Sequence, residues 1–130
     1  MKKNLLGILV VATGLWASNA VAAPPPSVIG NWSVLGNQSP GALVITFQSA
    51  AGICRQIFGT IYGNPLEGFY CPATGRIHFV RKNGANNDTF QSWTGNVGDD
   101  SIIDRMGGTF VVSSPLGGPF GEYNFQASRP

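Results

Sequence analysis

Glycine and proline punctuate this chain so regularly after residue 22 that no segment keeps helical spacing for even three turns. Of its 18 glycines only Gly7 and Gly14 precede that point, and all 9 prolines follow it. Between these breakers stand short apolar runs of alternating pattern, the mark of many strands joined by tight turns. The runs are Val28 to Val34, Ala42 to Gln48, Arg55 to Tyr62, Leu66 to Cys71, Arg76 to Lys82, Thr89 to Val97, Ile102 to Val112 and Glu122 to Ser128. Short consecutive connections favour antiparallel neighbours, and closure alone removes exposed sheet edges. The expected fold is therefore all-β, a single eight-stranded antiparallel up-and-down β-barrel, with an open sandwich as the alternative. Gly107-Gly108 interrupts the seventh run and predicts a bulge or a sharp bend there.

Residues 1–22 read differently. A basic start at Lys2 and Lys3, an apolar run from Leu5 to Trp16 and the small-residue exit Ala20-Val21-Ala22 are the three parts of a secretory signal peptide. The run of about 12 residues is shorter than the roughly 20 a membrane span needs. No cysteine follows the exit to accept a lipid anchor. The short Lys-Lys start reads as bacterial, so the expected location is periplasmic or secreted. In a eukaryotic host Asn31, Asn37 and Asn87 would be glycan acceptors. The domain organisation is then a signal peptide over 1–22, a Pro-rich extended leader over 23–27 that keeps the new N-terminus clear of the fold, and a β-barrel domain over 28–130. The formal charge of +2 belongs to Lys2 and Lys3. What remains is near neutral, with no electrostatic footprint for nucleic acid.

Two cysteines in an exported chain read as a disulfide rather than a metal or catalytic pair. Cys54 and Cys71 are symmetric about the Tyr62-Gly63 boundary. A hairpin folded there sets them opposite each other and bolts its open end, worth about 3 kcal/mol in the chain-entropy picture. Alternation then puts Cys54, Phe58, Thr60, Tyr62, Glu67, Phe69 and Cys71 on one face and Ile57, Gly59, Ile61, Leu66, Gly68 and Tyr70 on the other. Glu67 argues that the cysteine face is outside. Phe58, Tyr62 and Phe69 form an outer aromatic patch, either an interface for a protein partner or homo-oligomer or a surface covered by the leader. In the fifth run Ile77, Phe79 and Arg81 share the inward face, so an arginine sits at the barrel mouth, set to meet an anion, an acid or solvent. The sixth run divides into Thr89, Gln91, Trp93 and Val97 against Phe90, Ser92, Thr94 and Asn96, and composition does not choose the inner set.

The segments Gly30-Asn31-Trp32, Gly59-Thr60-Ile61-Tyr62 and Ser92-Trp93-Thr94-Gly95-Asn96 together resemble the avidin and streptavidin family within the calycin barrels. The resemblance implies that Trp32 closes the barrel with Arg129 stacked on it. It also implies that Trp93 lines an interior pocket, with Gln91 and Thr89 at the family's inward hydroxyl positions. The departures argue against biotin. Phe79 or Val80 replaces a family tryptophan, Ile61 replaces a tyrosine, the seventh run lacks a tryptophan, and no aspartate matches the family's near the C-terminus.

Little else carries chemistry. His78 is the single histidine and sits among Arg76 and Lys82 on the outer face. Asp99, Asp100 and Asp104 lack the alternating pattern of a calcium loop. Only Asp104 or Glu122 qualifies for an inward carboxylate pair. No metal, cofactor or enzymatic activity is expected. The function expected first is binding of a small, partly apolar ligand in the barrel interior by Tyr70, Phe79, Arg81, Gln91 and Trp93. The alternatives are a protein-binding module, such as an inhibitor of a secreted hydrolase, acting through end loops such as Pro115 to Gly121, and a structural or assembly subunit. Inward Gly59 and Gly68, with Ser92 or Gly95 according to which face of the sixth run is inside, favour a cavity, whereas Leu43, Ile45, Phe47, Ile57 and Phe79 favour a filled core. If Trp93 lines a pocket, Trp93→Ala removes binding without unfolding, whereas Trp32→Ala lowers stability by about 3–5 kcal/mol.

Overall fold

A computed structural model describes residues 23–83, 89–114 and 121–130. The signal-type segment 1–22 and most of the Pro115 to Gly121 loop lie outside them. Eight strands follow in chain order: β1 (Gly30–Gly36), β2 (Ser39–Gln48), β3 (Arg55–Ile61), β4 (Asn64–Cys71), β5 (Arg76–Asn83), β6 (Thr89–Asp99), β7 (Asp104–Ser113) and β8 (Glu122–Arg129). Each pairs antiparallel with the next, and β8 returns to β1, so the sheet closes as the up-and-down barrel the sequence predicts. Among the described residues no helix is long and apolar enough to cross a membrane.

Alternation decides what the barrel holds. Trp32, Val34, Leu43, Ile45, Ile57, Ile61, Leu66, Ile77, Phe79, Trp93 and Phe125 are all buried on the inner face. Gly59, Gly68, Gly95 and Gly108 lie among them because the backbone crowds these points. A β-carbon on Gly68 would overlap the carbonyl oxygen of His78, and one on Gly108 would overlap that of Thr94. The inward glycines are therefore places of close strand approach, not cavity space.

Three features differ from the expectation. First, β6 and β7 pair without interruption through Gly95↔Gly108 and Asn96↔Gly107, so the glycine pair makes no bulge. The register instead shifts in β2, between Ile45 and Phe47. Phe47 is thereby exposed rather than a filler of the core, and its ring lies 5.6 Å from that of Phe58 on the outside.

Second, the β3–β4 hairpin has the predicted register, Arg55↔Tyr70 through Ile61↔Asn64, and carries the Cys54–Cys71 disulfide at its open end. Its turn, however, is the pair Tyr62-Gly63, with φ of 49° and 76°. Two consecutive positive φ values make a tight hairpin turn, and they take Tyr62 out of the strand's alternation. Tyr62 consequently leaves the outer patch, which consists of Phe47, Phe58 and Phe69, and its ring turns over the barrel mouth.

Third, the Pro-rich leader does not stand clear of the fold. Pro25 is buried, and its carbonyl accepts the phenol hydrogen of the fully buried Tyr70. Gln48 grips the same segment twice, accepting from Val28 N at 2.9 Å and donating to Pro26 O at 3.0 Å. Asp99 N donates to Ala23 O at 3.1 Å. Residues 23–29 thus cross the lower end of the barrel, the end where β1 begins, and seal it.

Candidate functional site

The two ends of the barrel have opposite characters. At the lower end Trp32 is buried, donates from Nε1 to Val28 O at 2.9 Å, and carries the Arg129 guanidinium 4.5 Å from its ring centroid. Arg129 also pairs with Asp104 at 2.7 Å and donates to the carbonyls of Ser27 and Ile29. Burial pushes the Tyr70 phenol up to about 12; Arg129 opposes that shift and Asp104 adds to it. Every polar group here is turned to holding the leader, so Tyr70 belongs to the seal and not to a ligand site.

The upper end is open. A pocket of about 490 Å³ lies there, lined by Gly36, Asn37, Ser39, Tyr62, Arg81, Gln91, Trp93, Phe110, Val112 and Tyr123. That volume falls within the roughly 300–1,000 Å³ of small-molecule sites. The strand register builds it in two rows. Phe79, Trp93, Phe110 and Tyr123 are cross-strand neighbours on β5, β6, β7 and β8. Trp93 stacks on Phe110 with centroids 4.1 Å apart and planes 11° from parallel, and on Phe79 at 5.7 Å. Phe125 meets it edge-on at 4.9 Å, completing a packed aromatic floor in which the ring faces cover one another. Two residues nearer the mouth, Arg81, Gln91 and Val112 form the second row.

The polar rim is ordered by hydrogen bonds. Gln91 Oε1 accepts from Arg81 Nη1 at 3.0 Å and from Trp93 Nε1 at 3.2 Å. Both neighbours are obligate donors, which fixes the orientation of the amide. Arg81 also lies 5.1 Å over the Tyr62 ring. Burial draws the Arg81 pKa below its usual value, with Tyr62 opposing, but a guanidinium keeps its charge at any ordinary pH. The Tyr62 hydroxyl accepts from Gly36 N at 2.8 Å and donates to Ser39 O, which pins the ring across the β1–β2 hairpin. Gly36 and Gly41 make room for it, since a β-carbon on Gly41 would overlap the Tyr62 ring.

Of the residues expected to bind a ligand, Arg81, Gln91 and Trp93 line this pocket. Phe79 lies directly beneath it, fully buried, and Tyr70 is at the other end. Sequence reasoning missed Tyr62, Phe110, Val112 and Tyr123. Phe110 and Val112 were legible from the β6–β7 hairpin, whose register centres between Ser101 and Ile102. The outer His78 shares a hydrogen bond with Thr94 Oγ1 at 2.8 Å. Asp100 is held below the usual carboxylate range by hydrogen bonds from Arg105 and from the Ile103 and Ile102 amides. Among the described residues no group of three or more His, Cys, Asp or Glu side chains is placed to hold a metal. No protein-family model matches the chain, and no characterised protein matches it.

Proposed function

We propose that the protein is an exported, non-enzymatic binding barrel that takes a small, partly apolar ligand at its upper mouth. The observation that carries this reading is the division of the interior. The lower part is filled and sealed by the leader, whereas the upper part ends in a packed aromatic floor beneath a polar rim. A core built only for stability has no need of Arg81 and Gln91 above Trp93. The Cys54–Cys71 bridge supports an oxidising compartment, in keeping with the signal-type segment. The avidin-type resemblance at Trp32 and Trp93 supports an interior ligand, and Phe79 or Val80 in place of a family tryptophan, with Ile61 in place of a tyrosine, argues against biotin.

Native mass spectrometry of the exported protein, purified without denaturation, tests the reading. The expected result is a mature chain, two hydrogens light from its disulfide, carrying a small molecule that is absent from a Val112→Trp variant with a filled pocket. A small molecule retained by Val112→Trp would place the binding elsewhere and overturn the assignment.

A further inference from the structure

Resting on the mouth pocket as a ligand site, we infer that Gln91 determines its specificity and that the ligand is an apolar molecule offering the Gln91 amide a neutral acceptor oxygen, such as a carbonyl. The orientation of the amide is fixed from below. Its Oε1 accepts from Arg81 Nη1 at 3.0 Å and from Trp93 Nε1 at 3.2 Å, and neither of those groups can act as an acceptor. A flipped amide would set N–H against N–H on both sides. Nε2 is therefore the group left over, a donor with no partner among the described residues.

The surroundings of Nε2 decide what can meet it. In its row Gln91 lies between Arg81 on β5 and Val112 on β7, with Trp93 two residues below it on β6. Arg81 and Trp93 are on the amide oxygen, and the Val112 side chain has no polar atom. Among the described residues no carboxylate lines the pocket, so an acceptor for Nε2 comes with the ligand. A site with a fixed donor rejects the analogue that lacks the matching acceptor, because the donor is then left unpaired. The walls decide the charge of that acceptor. Val112, Phe110 and the Tyr62 and Tyr123 rings surround the space, and burying an ion among them costs more than one neutral amide donor offsets. Arg81 belongs to the frame, on Gln91 Oε1 and over the Tyr62 ring. A neutral carbonyl on an apolar body answers both the amide and the walls.

NMR titration of the disulfide-bonded protein tests this with two probes: camphor, an apolar cage whose single polar atom is a carbonyl oxygen, and xenon, which is apolar and has no acceptor. The expected result is that camphor saturably shifts the Gln91 side-chain amide and the Trp93 indole resonances. Gln91→Glu keeps an oxygen for Arg81 and Trp93 but loses the donor, and should bind camphor about tenfold more weakly than the wild type. Equal camphor affinity in the two proteins, or camphor bound with no movement of the Gln91 amide, would overturn the inference and leave the pocket reading intact. So would xenon entering beside Val112 in a wild-type protein that camphor does not bind. A pocket that admits neither probe would overturn both. Should Gln91→Glu fail to fold, the shift of the Gln91 amide in the wild type decides alone.

Discussion

The guanidinium of Arg129 lies 4.5 Å above the indole of Trp32 while its Nε bonds Asp104 Oδ2 at 2.7 Å. With its remaining nitrogens on the Ser27 and Ile29 carbonyls, one side chain ties β8 to β7, to β1 and to the leader. Replacing it by methionine leaves the Asp104 carboxylate, 17% exposed, without its counter-charge. The expected loss is about 2–4 kcal/mol. Arg129→Lys should recover less than half of this, because an ammonium cannot serve the same fork of acceptors. Urea unfolding followed by tryptophan fluorescence checks both, and an Arg129→Met midpoint equal to that of the wild type would show that the junction does not hold the barrel together.

Trp93 is as buried as Trp32, each about 1% exposed, so the two should not separate into a binding residue and a stability residue. Trp32→Ala and Trp93→Ala are each expected to cost about 3–5 kcal/mol. Trp93→Phe, which keeps a flat ring on Phe110, should cost much less and preserve the floor. Thermal unfolding of the three variants, with equal cell densities and expression, distinguishes this from the expectation that Trp93→Ala unfolds nothing.

Glycine substitutions should divide by what surrounds the new methyl. At Gly68 the β-carbon would overlap the His78 carbonyl and crowd Phe79, so Gly68→Ala should cost about 3 kcal/mol or prevent folding. At Gly63 nothing stands within 4 Å, and the cost of Gly63→Ala comes only from its φ of 76°. About 1 kcal/mol is expected there. Chemical denaturation of the pair reads the difference directly, and a more damaging Gly63→Ala would contradict the close approach of β4 and β5.

Alkaline pH should release the leader. The Tyr70 phenol titrates near 10 in an unfolded chain and at about 12 in the barrel, so the folded state binds the extra proton between these values. Stability from this group is complete below pH 10 and falls as pH rises towards 12. Unfolding midpoints taken across that window should drop, in step with tyrosinate absorbance, and should drop less steeply in Tyr70→Phe. A flat profile in the wild type would remove Tyr70 from the seal.

The sequence made the barrel legible because alternation and turn residues agree along most of the chain. The β3–β4 register followed from two cysteine positions alone. What escaped reading has local causes. Tyr62 continues the alternation of its run on paper, and only the positive φ of a two-residue turn sends it to the mouth. Gly107-Gly108 look like an interruption in one strand, yet Gly108 answers to Gly95 and Phe125 on its neighbours, and Gly107 to Asn96 and Gln126, which a linear pattern does not display. The leader's prolines say nothing of what holds it, because its partners come from Gln48, Tyr70 and Asp99, far away in sequence. Three residues of the mouth pocket, Arg81, Gln91 and Trp93, were found for the complementary reason: with Phe79 beneath them they occupy regular inward positions on two adjacent strands.

The register shift between Ile45 and Phe47 means that part of the protein's information is carried by strand register rather than residue identity. Were the ladder to run past Ile45 with no shift, Thr46 would face Phe58, Phe47 would point into the lower barrel, and Gln48 would turn outward. The one side chain that holds both Pro26 and Val28 would then be on the wrong surface. Deleting Thr46, the unpaired residue at the shift, would keep Phe47 opposite Phe58 and Gln48 opposite Ile57 and leave the leader fastened, so the register rather than the residue at position 46 decides whether the clasp forms.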